Sequence, residues 1–282
     1  MLGKVAATTV ATQTIEGANG VRYAYRRFGN PGNVPLVLFQ HFTGTLDFWD
    51  PALLDALAAE REIIIFNNTG VASTSGTTPS TVQQMARDAL TFIDALKLKK
   101  IDVLGFSLGG FIAQDIALAR PHLVRRLILA GTAPQGGPGL HGWRQDIYDA
   151  THADNPGAGT LLYIMFKQTP TSQEKGNEYL GRFMERKDRD APGTLATRNA
   201  QYDAVVEWGI PDHNKLARLA AISQPTFVAN GDADYMCPTR LTHLMGGLIP
   251  NAQGKIYPDA GHGFLWQHHG EFAADVNEFL AV

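Results

Sequence analysis

Short apolar runs recur along the chain and are separated by segments in which apolar residues lie three or four positions apart. A continuous apolar run of this length predicts a strand that is covered on both faces, as in a parallel sheet. Wholly or largely apolar runs are 34–40, 63–66, 101–104, 123–130 and 225–229, and 254–257 reads as a final short strand. The helical spacing between them predicts amphipathic helices, two of which begin near Asp50-Pro51 and Thr78-Pro79. This alternation predicts a mostly parallel sheet with helices on both faces.

The first part of the chain departs from this rhythm. Segments 5–16 and 21–28 are rich in Thr, Val and Tyr, and Asn19-Gly20 lies between them. An Asn-Gly pair between two such segments is typical of a tight β-hairpin turn. We therefore expect an antiparallel pair of strands ahead of the parallel part of the sheet.

The long segment 134–224 contains no strand-like run. Helical spacing predicts four helices in it, and Pro-Gly pairs at 156–157 and 192–193 mark turns between them. The predicted helices are 141–153, 160–168, 172–189 and 195–208. A closing amphipathic helix is indicated by Phe272, Val276 and Phe279. We therefore expect a core built from 1–134 and 225–282, with an inserted all-helical unit at 135–224.

Composition and charge narrow the class of protein. A chain of 282 residues with 44% hydrophobic content can bury a sizeable core. The net charge of −3 and the scattered basic residues indicate neither a nucleic-acid partner nor a membrane-surface partner. No apolar stretch approaches the length of about 18 residues that a membrane span needs. The single cysteine, Cys237, excludes an intramolecular disulfide, and with no signal-peptide pattern at the N-terminus we predict a cytoplasmic protein.

The sequence Gly105-Phe106-Ser107-Leu108-Gly109-Gly110 lies between an apolar run and a largely apolar segment, 111–119. Gly-x-Ser-x-Gly between a strand and a buried helix is the pattern of a nucleophile elbow. Glycines are needed there because side chains would collide with the adjoining strand and helix. Ser107 would then project from the sheet, with the positive end of the next helix directed at a developing oxyanion.

A serine hydroxyl is a poor nucleophile at neutral pH, so it needs a neighbouring base and a third group that orients the base. In an open parallel sheet such groups gather where the strands end. Two segments follow apolar runs and carry the required residue types: 230–234, with Asp232 and Asp234, and 259–264, with His262. Ser, then Asp, then His is the chain order of one particular hydrolase fold.

With these motifs the sequence resembles the α/β-hydrolase superfamily, in the branch that carries a helical cap. The resemblance extends over nearly the whole chain and implies an α/β fold with a mostly parallel, eight-stranded sheet. Asp234 is the implied acid, because it lies three residues after Gly231 and shortly before Pro238, and Asp232 is its competitor. His262, in Gly-His-Gly-Phe, is the implied base.

The resemblance also implies an oxyanion hole, made by the backbone N–H groups of Phe42 and Leu108. Phe42 stands where the family's His-Gly sequence has glycine, so its side chain should crowd the acyl pocket. Asn67 stands where the family commonly has an aspartate, with an Arg-Gly pair two residues later. That change removes a structural ion pair, so it bears on the subfamily and not on the reaction class.

The predicted function is a serine hydrolase that cleaves an ester or lactone bond of a small to medium, largely apolar substrate, with no cofactor and no metal. Same-fold alternatives are a cofactor-free perhydrolase or haloperoxidase and a C–C bond hydrolase or enol-lactonase. For the last group, Arg144, Arg182 and Arg198 are candidates to meet a substrate carboxylate. A ligand receptor or pseudoenzyme with slow hydrolysis is the alternative from another class, and a homodimer is compatible with the sequence.

Candidate pocket residues are the large apolar side chains near the predicted site and in the inserted segment. They are Phe42, Phe106, Trp143, Tyr163, Phe166, Trp208, Met236 and Phe264. A metal site is not expected from His262, His268, His269 and Glu271, because adjacent helical residues such as His268 and His269 do not face one point. Cys237 has no elbow or matched base of its own, so we interpret it as a packing residue.

Overall fold

A single eight-stranded sheet runs through the protein. The computed structural model describes residues 6–32, 34–153 and 157–281. Its strands are β1 (Gln13–Glu16), β2 (Arg22–Gly29), β3 (Leu36–Phe39), β4 (Glu62–Phe66), β5 (Ile101–Phe106), β6 (Val124–Ala130), β7 (Thr226–Gly231) and β8 (Ala252–Tyr257). They lie in the order β1-β2-β4-β3-β5-β6-β7-β8. The expected mostly parallel, eight-stranded sheet is confirmed.

Strand β2 pairs antiparallel with both β1 and β4, and all other neighbours are parallel. The predicted hairpin turn is present between β1 and β2, where Gly20 has φ +74°. That left-handed conformation is the one glycine adopts without strain. The central strands β3, β5 and β7 are buried along their whole length, which explains why their sequences are largely apolar.

Helices cover both faces of the sheet. They are α1 (Pro51–Ala58), α2 (Val82–Ala95), α3 (Leu108–Ala119), α9 (Thr239–Leu248), α10 (Phe264–Gln267) and α11 (His269–Ala281). Alternate residues of β3 point to opposite faces: Val37 and Phe39 join one apolar core with α2 and α3, while Leu36 and Leu38 join a second core with α1 and α11. The sheet therefore separates two cores, as the alternation of elements predicted.

Between β6 and β7, the described residues form helices and connecting segments without a strand. The inserted helices, defined as α4 to α8, are α4 (Gln145–His152), α5 (Ala158–Met165), α6 (Pro170–Phe183), α7 (Leu195–Trp208) and α8 (His213–Ala217). Short 3₁₀ turns occupy Leu46–Phe48 and Arg218–Ala221. Helix α6 packs against α1 and α10, and α7 packs against α2, so the inserted helices rest on the sheet domain at several points.

Several predicted boundaries were wrong. The first strand begins only at Gln13, because the described residues ahead of it form a turn; Val5 lies outside the described residues, as does Pro156. Helix α2 begins at Val82, where Thr81, and not Thr78, accepts the capping hydrogen bond from the Gln84 amide.

Helix α6 ends at Phe183 and does not continue to residue 189. The residues after Phe183 contact the buried carboxylate of Asp47 instead of continuing the helix. Asp47 accepts a hydrogen bond from the Asp190 amide and lies 3.6 Å from the Arg186 guanidinium. Helices α8 and α9 were not foreseen. Among the described residues, no helix combines the length and apolar character that crossing a membrane requires.

Candidate active site

Ser107 occupies the turn between β5 and α3. Its backbone has φ 56° and ψ −120°, a sparsely populated conformation that costs about 1–3 kcal/mol for a residue other than glycine. A Cβ atom at Gly109 would lie 2.1 Å from the Phe39 carbonyl oxygen, and one at Gly105 would lie 2.5 Å from the Gly109 carbonyl oxygen. Glycine is therefore required at both positions by close backbone approach.

Strand β6 and the segment that follows it hold the strained turn in place. The Ser107 amide donates to the Ala130 carbonyl at 2.9 Å, and the Thr132 hydroxyl donates to the Ser107 carbonyl at 2.7 Å. Leu108 is the first residue of α3, so its N–H is among those that have no acceptor inside the helix. That N–H is thus available beside the serine.

Asp234 and His262 form a buried pair. Asp234 follows β7, and its Oδ1 accepts hydrogen bonds from the amides of Met236 (2.8 Å) and Cys237 (2.9 Å). Its Oδ2 lies 2.7 Å from His262 Nδ1. A proton on Nδ1 satisfies this contact and leaves Nε2 as the basic nitrogen. His262 Nε2 is buried and has no hydrogen-bond partner among the described residues.

The competing carboxylate, Asp232, has a different role. It is exposed, and it accepts hydrogen bonds from the amides of Asp259 and Ala260 and from the Lys167 ammonium group. Partial burial raises the pKa of Asp232, but these hydrogen bonds and the Lys167 charge together outweigh that effect and lower the pKa below its ordinary value. Asp232 therefore organises the loop after β8, whereas Asp234 contacts the imidazole.

The loop after β3 provides the second predicted amide donor, Phe42. The His41 carbonyl accepts from the Gly44 amide at 3.0 Å, and the His41 Nδ1–H donates to the Phe42 carbonyl at 2.7 Å. The Phe42 N–H donates to no group among the described residues. Burial lowers the pKa of His41 to about 3, so its imidazole is neutral at physiological pH.

A cavity of about 370 Å³ opens beside these groups. Ser107, His262, Phe42 and Met236 line it, together with residues that the sequence did not single out. The latter are His41, Thr43, Phe48, Ala150, Thr151, Gly157, Ala158, Thr160, Leu161, Ile164, Met165, Leu180, Phe183 and Met184. Most are apolar, and no Asp, Glu, Lys or Arg occurs among the described lining residues.

Of the eight predicted pocket residues, the structure brings only Phe42 and Met236 to the cavity. The Phe42 ring lies 5.1 Å from that of Trp143, which supports it from behind. Phe106 packs beneath the site, with its ring 5.3 Å from His41 and 5.0 Å from His262. Trp143 and Phe106 therefore pack behind residues that line the cavity, and they do not line it themselves.

The other four predicted pocket residues are core or surface residues. Trp208 stacks on Phe111 in the core that lies on the α3 side of the sheet. Phe166 packs against Tyr179 and Trp266, and Phe264 packs against Tyr257 and Phe272. Tyr163 is exposed, and its hydroxyl donates to Asp146. An aromatic side chain near the site in sequence does not reveal which core it joins.

The three candidate arginines do not line the cavity. Arg182 pairs with the buried Asp50 at 2.7 Å, and Arg144 pairs with Asp146 at 2.6 Å on the surface. Arg198 donates to the His152 carbonyl at 2.9 Å. Their guanidinium groups are therefore committed to protein partners.

Asn67 connects the sheet domain to the segment between α6 and α7. Its Oδ1 accepts from the Leu46 amide at 2.8 Å, and its Nδ2 donates to Asp190 Oδ2 at 2.5 Å. An aspartate at this position would repel the Asp190 carboxylate, so the asparagine suits this neighbour. This explains the departure noted in the sequence.

The described residues contain no group of three His, Cys, Asp or Glu that could hold a metal ion. His268 and His269 each contact a backbone carbonyl, those of Pro258 and Trp266. Cys237 is buried beside Ser107, and burial raises the pKa of its thiol well above the ordinary value. It is thus held protonated, unlike an activated nucleophile.

Comparisons with known proteins agree with this architecture. The model of the alpha/beta hydrolase fold family matches residues 34–269. An alpha/beta hydrolase fold protein from Chitinophaga pinensis is 42% identical, with a TM-score of 0.91 and 98% of each chain covered. A poly(3-hydroxyalkanoate) depolymerase from Ectopseudomonas oleovorans is 28% identical, covering 95% of this chain and 92% of the relative. A 2-hydroxymuconate semialdehyde hydrolase from Pseudomonas sp. (strain CF600) is 26% identical, covering 68% and 66%. The chain belongs to the α/β-hydrolase family.

Proposed function

We propose that this protein is a serine hydrolase that cleaves an ester or lactone bond of a neutral, small to medium, largely apolar substrate. The observation that carries the proposal is the buried Asp234–His262 pair, whose free imidazole nitrogen shares one apolar cavity with Ser107. A base held by a carboxylate beside a serine on a strained turn is the arrangement that nucleophilic acyl transfer needs.

In this mechanism the Ser107 hydroxyl attacks the substrate carbonyl while His262 Nε2 takes its proton. Asp234 holds the imidazole with Nδ1 protonated and stabilises the imidazolium that forms. The amides of Phe42 and Leu108 donate to the oxyanion. His262 next gives the proton to the leaving alcohol. It then takes a proton from a water molecule that attacks the acyl-enzyme, and it returns that proton to Ser107 as the acid is released.

The substrate class follows from the cavity wall. A buried carboxylate without a cationic partner loses its hydration with nothing to replace it, which is strongly unfavourable. The described lining offers no such partner, and Arg144, Arg182 and Arg198 are bound elsewhere. We therefore favour a neutral acyl group over the carboxylate-bearing substrates expected of a C–C bond hydrolase.

We further propose that the segment 135–224 acts as a cap over the sheet domain, whose two parts are 1–134 and 225–282. Residues of α5 and α6, including Leu161, Met165 and Phe183, form one side of the cavity, while Ser107 and His262 belong to the sheet domain. In this arrangement the cap selects the acyl group, and the sheet domain carries out the chemistry.

The test is covalent labelling combined with mutation. Exposure to a fluorophosphonate should add one phosphonyl group to Ser107, detected by mass spectrometry of the peptide that contains it. Ser107→Ala should remove the adduct and lower kcat for 4-nitrophenyl esters by several orders of magnitude, because members of such a unit act together. Hydrolysis at the wild-type rate by Ser107→Ala would refute the proposal.

A further inference from the structure

The loop between β3 and the first 3₁₀ turn, His41 to Thr45, holds the proposed oxyanion donor Phe42 without the glycine that the family usually has there. Thr43 adopts φ +60°. A β-branched residue in the left-handed region is a genuine outlier, because its side chain is crowded by its own backbone. Such a conformation persists only where the surroundings impose it, so the loop needs contacts that hold it.

Two peptide planes of this loop are tied at their polar atoms. The Gly44 amide donates to the carbonyl of the 41–42 peptide, and the Phe42 N–H of the same peptide has no acceptor among the described residues. The 42–43 peptide is held at both ends: His41 Nδ1–H donates to its carbonyl at 2.7 Å, and its Thr43 N–H donates to Gln201 Oε1 at 2.6 Å. The last contact comes from α7, 158 residues away in sequence.

The burial of Gln201 is unfavourable for folding stability, so stability alone does not explain its place in the core. It is 1% exposed, and its Nε2 group has no hydrogen-bond partner among the described residues. A buried amide that leaves its two N–H donors unused loses hydration without full compensation. The contact that this side chain does make is the one to the strained residue next to the proposed oxyanion donor.

We propose that Gln201 is a positioning residue, through which helix α7 of the inserted segment holds the strained oxyanion loop and so directs the Phe42 N–H at the developing oxyanion. The proposal rests on the proposed function, because it assigns Gln201 a part in the same reaction. It makes the inserted helices a support of the catalytic machinery as well as a wall of the cavity.

The variant Gln201→Met removes the acceptor while keeping similar length and volume. We expect it to lower kcat for a 4-nitrophenyl ester about 10- to 100-fold, since small misplacement of a catalytic group has effects of that order. KM should change less than about twofold, because the oxyanion contact forms mainly in the transition state. The Ki of an alkylboronic acid, whose adduct with Ser107 resembles the tetrahedral intermediate, should rise by the same factor as kcat falls.

Gln173→Met is the matched control. Gln173 lies on α6, and its Nε2 donates to the carbonyls of Leu162 and Lys167, away from the loop. The Gln173→Met variant should have kcat and Ki values close to those of the wild type. An equal loss of kcat in both variants would overturn the proposal, as would a Gln201→Met enzyme in which only KM changes.

A second substitution tests the part played by strain. Glycine adopts φ near +60° freely, so adding Thr43→Gly to Gln201→Met should recover several-fold in kcat. No recovery would contradict the view that Gln201 restrains a strained residue. If Gln201→Met keeps wild-type kcat and Ki while Ser107→Ala is inactive, the positioning role is wrong and the proposed function stands. If Ser107→Ala remains fully active, the proposed function itself fails.

Discussion

At the scale of single residues, burial controls the protonation state of His41 in the candidate site. His41 is buried and packs against three aromatic rings, those of Phe48, Phe106 and Trp266, with centroids 5.3 to 5.6 Å away. Burial disfavours its charged form, the hydrogen bond from Nδ1 to the Phe42 carbonyl offsets this only in part, and the nearby His262 further opposes protonation. Such a histidine makes the free energy of unfolding depend on pH, because the unfolded chain binds the proton more readily than the folded one.

We predict that His41 makes the protein less stable as pH falls. Its pKa is about 3 in the folded state, against the ordinary value of 6.5. The stabilisation is therefore fully present above pH 6.5, and it is lost progressively as pH falls towards 3. Between pH 7 and pH 4.5 this amounts to about 2–3 kcal/mol.

The measurement is urea unfolding of wild type and His41→Gln at both pH values. Glutamine cannot be protonated, so the variant, although less stable at pH 7, should lose less free energy of unfolding on acidification. Parallel losses in the two proteins would show that other groups account for the acid sensitivity.

At the scale of elements, buried ion pairs fix the inserted helices to the sheet domain. Arg182 of α6 donates from Nε and Nη2 to Asp50, the residue that caps α1. Asp50 is fully buried, and it also accepts a hydrogen bond from the Ala52 amide at 3.0 Å. Removing the arginine would leave a buried carboxylate without its charged partner, which is costly.

We predict that Arg182→Ala lowers the free energy of unfolding by about 3–5 kcal/mol. Arg144→Ala is the control, because the Arg144–Asp146 pair is solvent-exposed and such pairs contribute about 0–1 kcal/mol. Chemical denaturation of both variants at neutral pH gives the comparison. Equal stability of the two variants would mean that Asp50 is satisfied without Arg182.

For the whole molecule, the proposed function places substrate selection in a cavity between the inserted helices and the sheet domain. We predict that kcat/KM for 4-nitrophenyl alkanoates rises about fourfold for each methylene that the apolar cavity can bury. The rise should stop when the chain fills the volume of about 370 Å³. An activity that is greatest for acetate and falls with each added methylene would contradict this picture of the acyl site.

The matched comparison is 4-nitrophenyl hexanoate against the 4-nitrophenyl monoester of adipic acid, which ends in a carboxylate. We expect the anionic ester to be the poorer substrate by about 100-fold or more. Equal rates would indicate a cationic partner within reach of the substrate, and they would reopen the assignment of a neutral acyl group.

Local patterns determined much of this protein. The apolar runs predicted the strands, and the hairpin turn followed from Asn19-Gly20, because backbone geometry and burial on both faces restrict which residues a position accepts. The elbow around Ser107 and the order of Asp234 and His262 were likewise visible, since short segments after strands must lie at one edge of a parallel sheet. The limits of α6 were not visible, because Asp47 lies far away in sequence and competes with the helix for residues beyond Phe183.

Tertiary structure alone decided which side chains line the cavity. Trp208 and Phe264 look like pocket residues in the sequence, yet they belong to cores on opposite sides of the sheet, whereas Met165 and Met184 reach the cavity. Arg182 became an anchor of α6, and Gln201, which no pattern distinguishes, accepts a hydrogen bond from Thr43 across 158 residues. The sequence by itself therefore determined the fold and placed the candidate residues Ser107, Asp234 and His262 after strands of the sheet, because these features depend on local geometry. The cavity and its supports depend on contacts between segments far apart in the chain, and only the folded molecule specifies them.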